Sequence, residues 1–192
     1  METINAETSV KKNETLKTIY ERRAVRVYQD KPVPNDLIEQ LLDAGRMAPS
    51  AINKQPWRFY VVTNKELIKL FSDEIGKVAA GHYHLAFASG LLKMVDAIFH
   101  GAPVVVFITA PKDSDWAPLD IGMCAQNIML AAKSLGLDTC PVGMGKFIEE
   151  TKSFSKLKVS DKEKVLLSIT IGYGKKSPDI HTRNKKNVTY IE

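Results

Sequence analysis

Ser50, Asn53 and Gln55 lie within six residues of one another, and each side chain can both donate and accept a hydrogen bond. They belong to the run Ala48-Pro49-Ser50-Ala51-Ile52-Asn53-Lys54-Gln55-Pro56-Trp57, where two prolines bracket small and amide-bearing residues. Lys54 is its one charge. Such a loop suits a flat ligand with a polar edge. Asn53 and Gln55 could pair with a heterocycle, and Ser50 and Asn53 could equally close local Asx- or ST-type turns. Trp57 reads as a core anchor.

Two groups of cations are a second candidate. Arg22, Arg23 and Arg26 follow a helical stretch, where cations complement the helix dipole. Arg183, Lys185 and Lys186 lie in the tail, where a solvated basic segment would look the same. Together the two groups could converge on a phosphate, which suits the guanidinium fork.

Glycine pairs are a third candidate. Gly143-x-Gly145 and Gly172-x-Gly174 each follow a strand, without the spacing of a dinucleotide fingerprint or a P-loop. For Gly172 and Gly174 a tight turn at positive φ is expected. For Gly143 to Gly145, free backbone N–H groups facing a ligand are an equal alternative. Asp120 reads as a helix cap, Asn127 on an apolar helix face needs a buried partner, and Cys140 before Pro141 reads as inert. No nucleophile elbow, Ser-His-Asp order, paired carboxylates or metal-ligand set stands out. If the chain is an enzyme, a bound cofactor should carry the chemistry.

The elements that must hold these residues follow from periodicity. Asn13 caps a first helix carrying Leu16, Ile19 and Tyr20. A second carries Ile38, Leu41, Leu42 and Gly45, and stops near Met47 because the residue before Pro49 avoids helical geometry. Trp57 to Val62 reads as a strand, and Lys65 to about Lys77 as a helix. Ala79 to Gly101 is expected to be partly helical and mobile. Val104 to Ile108 reads as a central strand buried on both faces. A long helix carries Ile121, Ala125, Ile128, Ala132 and Leu135. Asp138 to Val142 is a short strand, Phe147 to about Leu157 a helix, Val165 to Tyr173 a long strand, and Val188 to Ile191 a short terminal strand. Several strands and five or so helices without βαβ alternation indicate an α+β fold.

The totals narrow the class. The 192 residues suffice for one substantial core, with 44% hydrophobic and 26% charged residues. Met1 to Lys12 read as a polar, poorly ordered arm, and residues 13–192 as one domain. The net charge of +5 comes from scattered lysines rather than an arginine-aromatic stripe, so nucleic-acid binding is not indicated. The two cysteines lack ligand spacing, and His82 and His84 have no second cluster behind them. With no signal peptide and no run of membrane-spanning length, a soluble cytoplasmic protein is expected.

The ordered set of segments resembles the nitroreductase family of FMN-dependent oxidoreductases. It comprises Arg22-Arg23-Ala24-Val25-Arg26, then Ala44 to Trp57, Ala102 to Val106, Asp120-Ile121-Gly122 with Gln126-Asn127, Gly136-Leu137, Pro141 to Gly145 and Ile171 to Gly174. The resemblance implies a mixed, largely antiparallel sheet flanked by helices, in an intertwined homodimer with an exchanged C-terminal segment and FMN at the interface. It further implies that Arg22, Arg183 and Lys185 hold the FMN phosphate, Arg23 and Ala24 line the ribityl chain, and Arg26 lies near the flavin N1–O2 edge. Pro49, Ser50, Ala51, Asn53 and Gln55 would contact the flavin from the other subunit. Val142, Gly143, Met144 and Gly145 would set backbone N–H groups against N5 and O4. The implied activity takes hydride from NAD(P)H onto flavin N5 and reduces a nitroaromatic, quinone or related acceptor by a ping-pong mechanism. Rival readings keep the flavin: a specialised enzyme for another ring substrate, or a flavin-binding module without turnover. The chain departs from the family pattern at Ala24, where members often carry Ser, and in the Val142–Gly145 turn, which lacks the Glu some members have.

Overall fold

Val104–Pro111 forms strand β2 and is buried up to its last residue. Side chains along a strand alternate in direction, and here each direction meets its own core. Val104, Val106, Ile108 and Ala110 pack into one hydrophobic cluster, while Val105 and Phe107 pack into the other. The computed structural model describes residues 13–82, 98–184 and 186–192. The expected N-terminal arm, His84, most of the Ala79–Gly101 segment and Lys185 lie outside the described residues.

The sheet has four strands in the order β1-β2-β4-β3, with β1 at Arg58–Val62, β3 at Asp138–Val142 and β4 at Glu163–Gly172. Every neighbouring pair is antiparallel. The mixed character implied by the resemblance reduces to one isolated parallel bridge between Ala24 and Thr139.

Helices cover both faces. On one side α2 (Asn35–Arg46) crosses α4 (Ala117–Ser134) at a glycine. A Cβ on Gly45 would stand 2.8 Å from Ile128 Cγ1, so the small residue sets the helix separation. Asn127 finds its buried partner here, donating from Nδ2 to the Ala44 carbonyl at 3.1 Å. Beyond α4, Gly136 adopts φ +76° and the Leu137 N–H returns to the Ala132 carbonyl at 2.8 Å, a left-handed C-cap that feeds β3. On the other face lies α3 (Lys65–His82), with Ile68, Phe71, Ile75 and Ala79 buried. It outruns the expected end near Lys77 because Ala79 continues the apolar spacing. The first helix, α1 (Glu14–Glu21), buries none of its residues in this chain. Leu16, Ile19 and Tyr20 are exposed.

Two expected elements are absent. Phe147 to Leu157 is not an α-helix but two 3₁₀ pieces, Gly143–Glu150 and Phe154–Leu157. Thr151 Oγ1 donates to the Ile148 carbonyl at 2.7 Å, a local bond that competes with helix continuation. Residues 188–191 form no strand within this chain and are exposed, Ile191 at 95%. No helix among the described residues is long and apolar enough to cross a membrane.

Candidate functional site

The chain leaves α1 at Arg22 and runs extended beside the sheet. Ala24 bridges Thr139, the Val25 N–H donates to the Thr139 carbonyl at 3.0 Å, and Tyr28 bridges Gly174. The buried Tyr28 hydroxyl fixes this path, lying 2.8 Å from both the Val25 carbonyl and Thr170 Oγ1. Burial pushes its pKa far up, so it stays a neutral hydroxyl.

Arg22 is half-buried, and its Nη1 is buried without a hydrogen-bond partner. Burial lowers the pKa of this guanidinium, and the charges of Arg23 and Arg183 lower it further. The structure therefore gathers Arg22 and the tail's Arg183 within one field, with no carboxylate among the described residues compensating it. Buried donors without partners are rare and costly. A phosphate dianion would satisfy the orphaned nitrogen and the shared charge. The residues fit FMN on this observation. Arg26 is exposed, and its charge and that of Arg22 lower the pKa of the Cys140 thiol, although burial dominates and raises it. Arg23 turns back instead. Its Nη1 donates to the carbonyls of Tyr20 at 2.5 Å and Arg22 at 2.8 Å, closing the end of α1.

Further along β3, Val142 is buried and extended, and Gly143 opens the first 3₁₀ piece. The first N–H groups of such a turn have no partner within it. Gly143 is exposed, Met144 half-buried and Gly145 buried. A Cβ on Gly145 would lie 2.0 Å from Ser168 Oγ, so only glycine lets the turn sit this close to β4. Ser168 in turn donates to the Val142 carbonyl at 3.0 Å. The turn is tied to α3 on its outer side. His82 stacks on Phe147 with ring centroids 4.7 Å apart and lies 2.9 Å from Glu150, while Glu74 accepts from Ser153 Oγ at 2.7 Å and Ser153 N–H at 3.0 Å. Gly172 and Gly174 lack the positive φ expected of them. Their Cβ atoms would meet Pro103 Cδ at 2.6 Å and Asp138 Oδ2 at 2.5 Å, so close approach is what requires glycine there.

The Pro49–Gln55 loop is exposed except at half-buried Ser50 and Ala51. Ile52 (φ 46°), Asn53 (56°) and Gln55 (47°) all occupy the left-handed region. That region is a sharp outlier for a β-branched residue. Polar bonds hold it: the Gln55 N–H donates to Ser50 Oγ at 2.9 Å, Gln55 Nε2 to Asn53 Oδ1 at 3.1 Å, and the Ala51 N–H to Asp120 Oδ1 at 3.1 Å. Asp120 is therefore not a helix cap; Trp116 occupies that position, without a side-chain bond. Trp57 anchors the loop's end in the core, 7% exposed.

The structure brings Arg22, Arg26 and Arg183 to the β3 side of the molecule and leaves the loop elsewhere. Asp120 holds the loop at the first turn of α4, and Thr139 lies just past its last turn. From Asp120 to Ser134 a rise of 1.5 Å per residue separates these ends by about 20 Å. Sequence reading missed Asp120 as the loop's anchor and Ser168 as the support beneath Gly145. A serine within the apolar run Val165–Tyr173 was a usable signal, because a buried hydroxyl needs a partner. Among the described residues no group of His, Cys, Asp or Glu could hold a metal ion.

Comparisons with known proteins give the family and the fold. The nitroreductase family model matches residues 19–173. A provisionally named NADH dehydrogenase/NAD(P)H nitroreductase of Archaeoglobus fulgidus is 32% identical over 173 residues, covering 88% of this chain and 90% of that protein. The chloronitrobenzene nitroreductase of Comamonas testosteroni is 27% identical over 211 residues, covering 91% and 92%. The crystal structure of a nitroreductase with bound FMN from Desulfitobacterium hafniense superposes with a TM-score of 0.85 at 30% identity, covering 94% of this chain and 99% of that one.

Proposed function

The chain belongs to the nitroreductase family, and we propose that it is an FMN-dependent oxidoreductase that oxidises NAD(P)H and reduces a nitroaromatic, quinone or related acceptor by a ping-pong mechanism. One observation carries the cofactor reading: the buried, unpartnered Nη1 of Arg22 beside the charges of Arg23 and Arg183. When bound, FMN would supply the transfer of hydride and electrons that no side-chain constellation here provides.

The chain's own residues do the rest. Arg22, Arg183 and Lys185 hold the phosphate, and Arg23 and Ala24 border the ribityl chain through their backbone. Arg26 places positive charge at the pyrimidine edge, where charge develops on reduction. Val142 lies three residues past Thr139, about 10 Å along β3, with Gly143 to Gly145 next in the chain, a span that a mononucleotide bridges. Backbone N–H groups at Val142 to Gly145 would donate to the polar edge of the ring. Two stacked substrates in turn need orientation rather than an acid or base from the protein.

The same reading makes the molecule a homodimer with FMN at the interface. The loop and the arginines sit near opposite ends of α4, so Pro49, Ser50, Ala51, Asn53 and Gln55 serve the partner's flavin. The unburied apolar face of α1 and the solvated apolar tail support pairing and exchange of the C-terminal segment. Two free, buried cysteines fit the reducing cytoplasm.

The test is spectroscopic. Purified protein loaded with FMN should show a bound-flavin spectrum that bleaches under anaerobic NADH or NADPH and recovers with a nitroaromatic or quinone. Protein that binds no FMN refutes the reading. Bound flavin that stays oxidised under both nicotinamides leaves only a binding module.

A further inference from the structure

We propose that Asp120 is a positioning residue for flavin binding: its buried carboxylate holds the Ser50–Gln55 loop in the strained form that presents Ser50 and Asn53 to the cofactor of the partner subunit. The inference rests on the FMN reading above.

Three observations converge on it. First, the loop stores strain. Three non-glycine residues at positive φ crowd into four positions, and Ile52 is 87% exposed, so packing of its side chain against the described residues compensates little. Strain of this kind persists only where surrounding structure over-determines it. Second, the restraints reaching the loop are polar. Ser50 Oγ and Asn53 Oδ1 act within the loop, whereas Asp120 Oδ1 reaches it from another element, 69 residues along the chain. Third, Asp120 is 3% exposed in the first turn of α4, a burial that an acid does not adopt without purpose. The Ala51 N–H gives its side-chain oxygen a partner at 3.1 Å across elements.

The rigid helix therefore fixes Ala51, and the bonds from Ser50 and Asn53 carry that fixed point through the turn. Without the anchor, Ile52, Asn53 and Gln55 relax toward ordinary backbone angles. Ser50 and Asn53 then lose their orientation, and the affinity they provide falls with it, because the ordering must be supplied on binding.

The experiment compares wild type, Asp120→Ala and Asp120→Asn in two readouts. Backbone hydrogen exchange of the FMN-free protein reads the Ala51 amide and the loop directly. FMN titration reads the consequence. Asp120→Ala should lose protection at Ala51 by at least tenfold and bind FMN at least tenfold more weakly. Asp120→Asn, which keeps an acceptor oxygen, should recover a substantial part of both. Should Asp120→Ala fail to fold, Asp120→Asn decides: protection and affinity between those of wild type and fully relaxed loop support the anchor. Wild-type exchange and affinity in a folded Asp120→Ala overturn it. So does an equal loss in both variants, since it would show that the charge alone matters. Wild-type protein that binds no FMN overturns the cofactor reading and this proposal together, and the exchange comparison then shows whether the anchor itself is real.

Discussion

Arg22 gives the sharpest test, because stability and binding should move in opposite directions. Its Nη1 is buried without a partner, and Arg23 and Arg183 add like charge. Arg22→Met keeps a long apolar stem and removes both burdens. An unsatisfied buried donor costs about 1–3 kcal/mol, partly recovered here because the side chain is only half-buried. The FMN-free variant should thus equal wild type or exceed it by up to about 1 kcal/mol, a rise in Tm of about 2–4 °C for a chain of this size. Phosphate affinity should collapse. Charge-assisted hydrogen bonds contribute about 1.5–3 kcal/mol each. A total loss of about 2–4 kcal/mol raises Kd about 30- to 700-fold at 1.4 kcal/mol per decade. Riboflavin, which lacks the phosphate, should bind both proteins within about threefold under the same arithmetic. Thermal melts of FMN-free protein and fluorescence titrations with FMN and riboflavin supply the numbers. A variant destabilised by more than about 1 kcal/mol would show that Arg22 has a structural partner after all. Equal weakening toward both flavins would remove the phosphate from the argument.

Three further outcomes follow from the packing and the titrating groups. Gly145→Ala must displace Ser168 or the turn by at least 1.4 Å, the gap between the 2.0 Å approach and ordinary contact at 3.4 Å. It should cost about 1–3 kcal/mol, with Ser168→Ala restoring part in the double variant; a melt within 1 °C of wild type, on the order of a few tenths of a kcal/mol, would contradict the close approach. Hydrogen bonds from Ser153 hold the Glu74 carboxyl below its usual range. The stability it adds is therefore full above the ordinary carboxylate pKa and lost as pH falls through the lower folded value. Screening keeps it under about 1 kcal/mol. Urea melts of wild type and Glu74→Gln should differ at pH 7 and converge as the pH falls through the acid range, whereas a gap that widens in acid would reverse the sign. Burial pushes the Cys124 thiol up to about 12 and raises Cys140 as well. A maleimide at slightly alkaline pH should label neither in native protein and both after denaturation. Rapid native labelling of Cys140 would mean that Arg26 and Arg22 outweigh its desolvation.

Much of the fold was legible because local rules decided it. Pro49 stopped α2 at Arg46, the apolar run after Pro103 became the most buried strand, and Trp57 anchored the core. Local rules failed where distant groups decide. Asp120 looks like a cap because it stands near Pro118 at a helix start, and only folding shows the Ala51 N–H in reach. Glu163 is buried at the start of β4, where Arg58 Nε at 2.9 Å and Thr109 Oγ1 at 2.6 Å reach its carboxylate from other strands. The glycines at 172 and 174 were legible as necessary but not as to why, since a turn and a close neighbour demand the same residue. Phe147 to Leu157 carried helical spacing, which hydroxyls at Thr151 and Ser153 redirected. Of the candidate site, the arginines and the loop were recognisable as parts; their placement near opposite ends of α4 was not.

That placement gives α4 a meaning as a ruler. Asp120 near one end holds a loop, and the glycine cap at the other end delivers β3 with its turn, so the distance and the angle between the two are written in helical turns. Adding a single residue within Asp120–Ser134 would lengthen this ruler by about 1.5 Å and rotate one end against the other by about 100°. The contacts of Ile128 with Gly45 and of Asn127 with Ala44, which seat the middle of α4 against α2, would lose their register as well. Insertions should therefore be tolerated before Trp116, in the exposed 112–115 connection, and rejected inside the helix. Length, more than side-chain identity on its outer face, is what this helix must preserve.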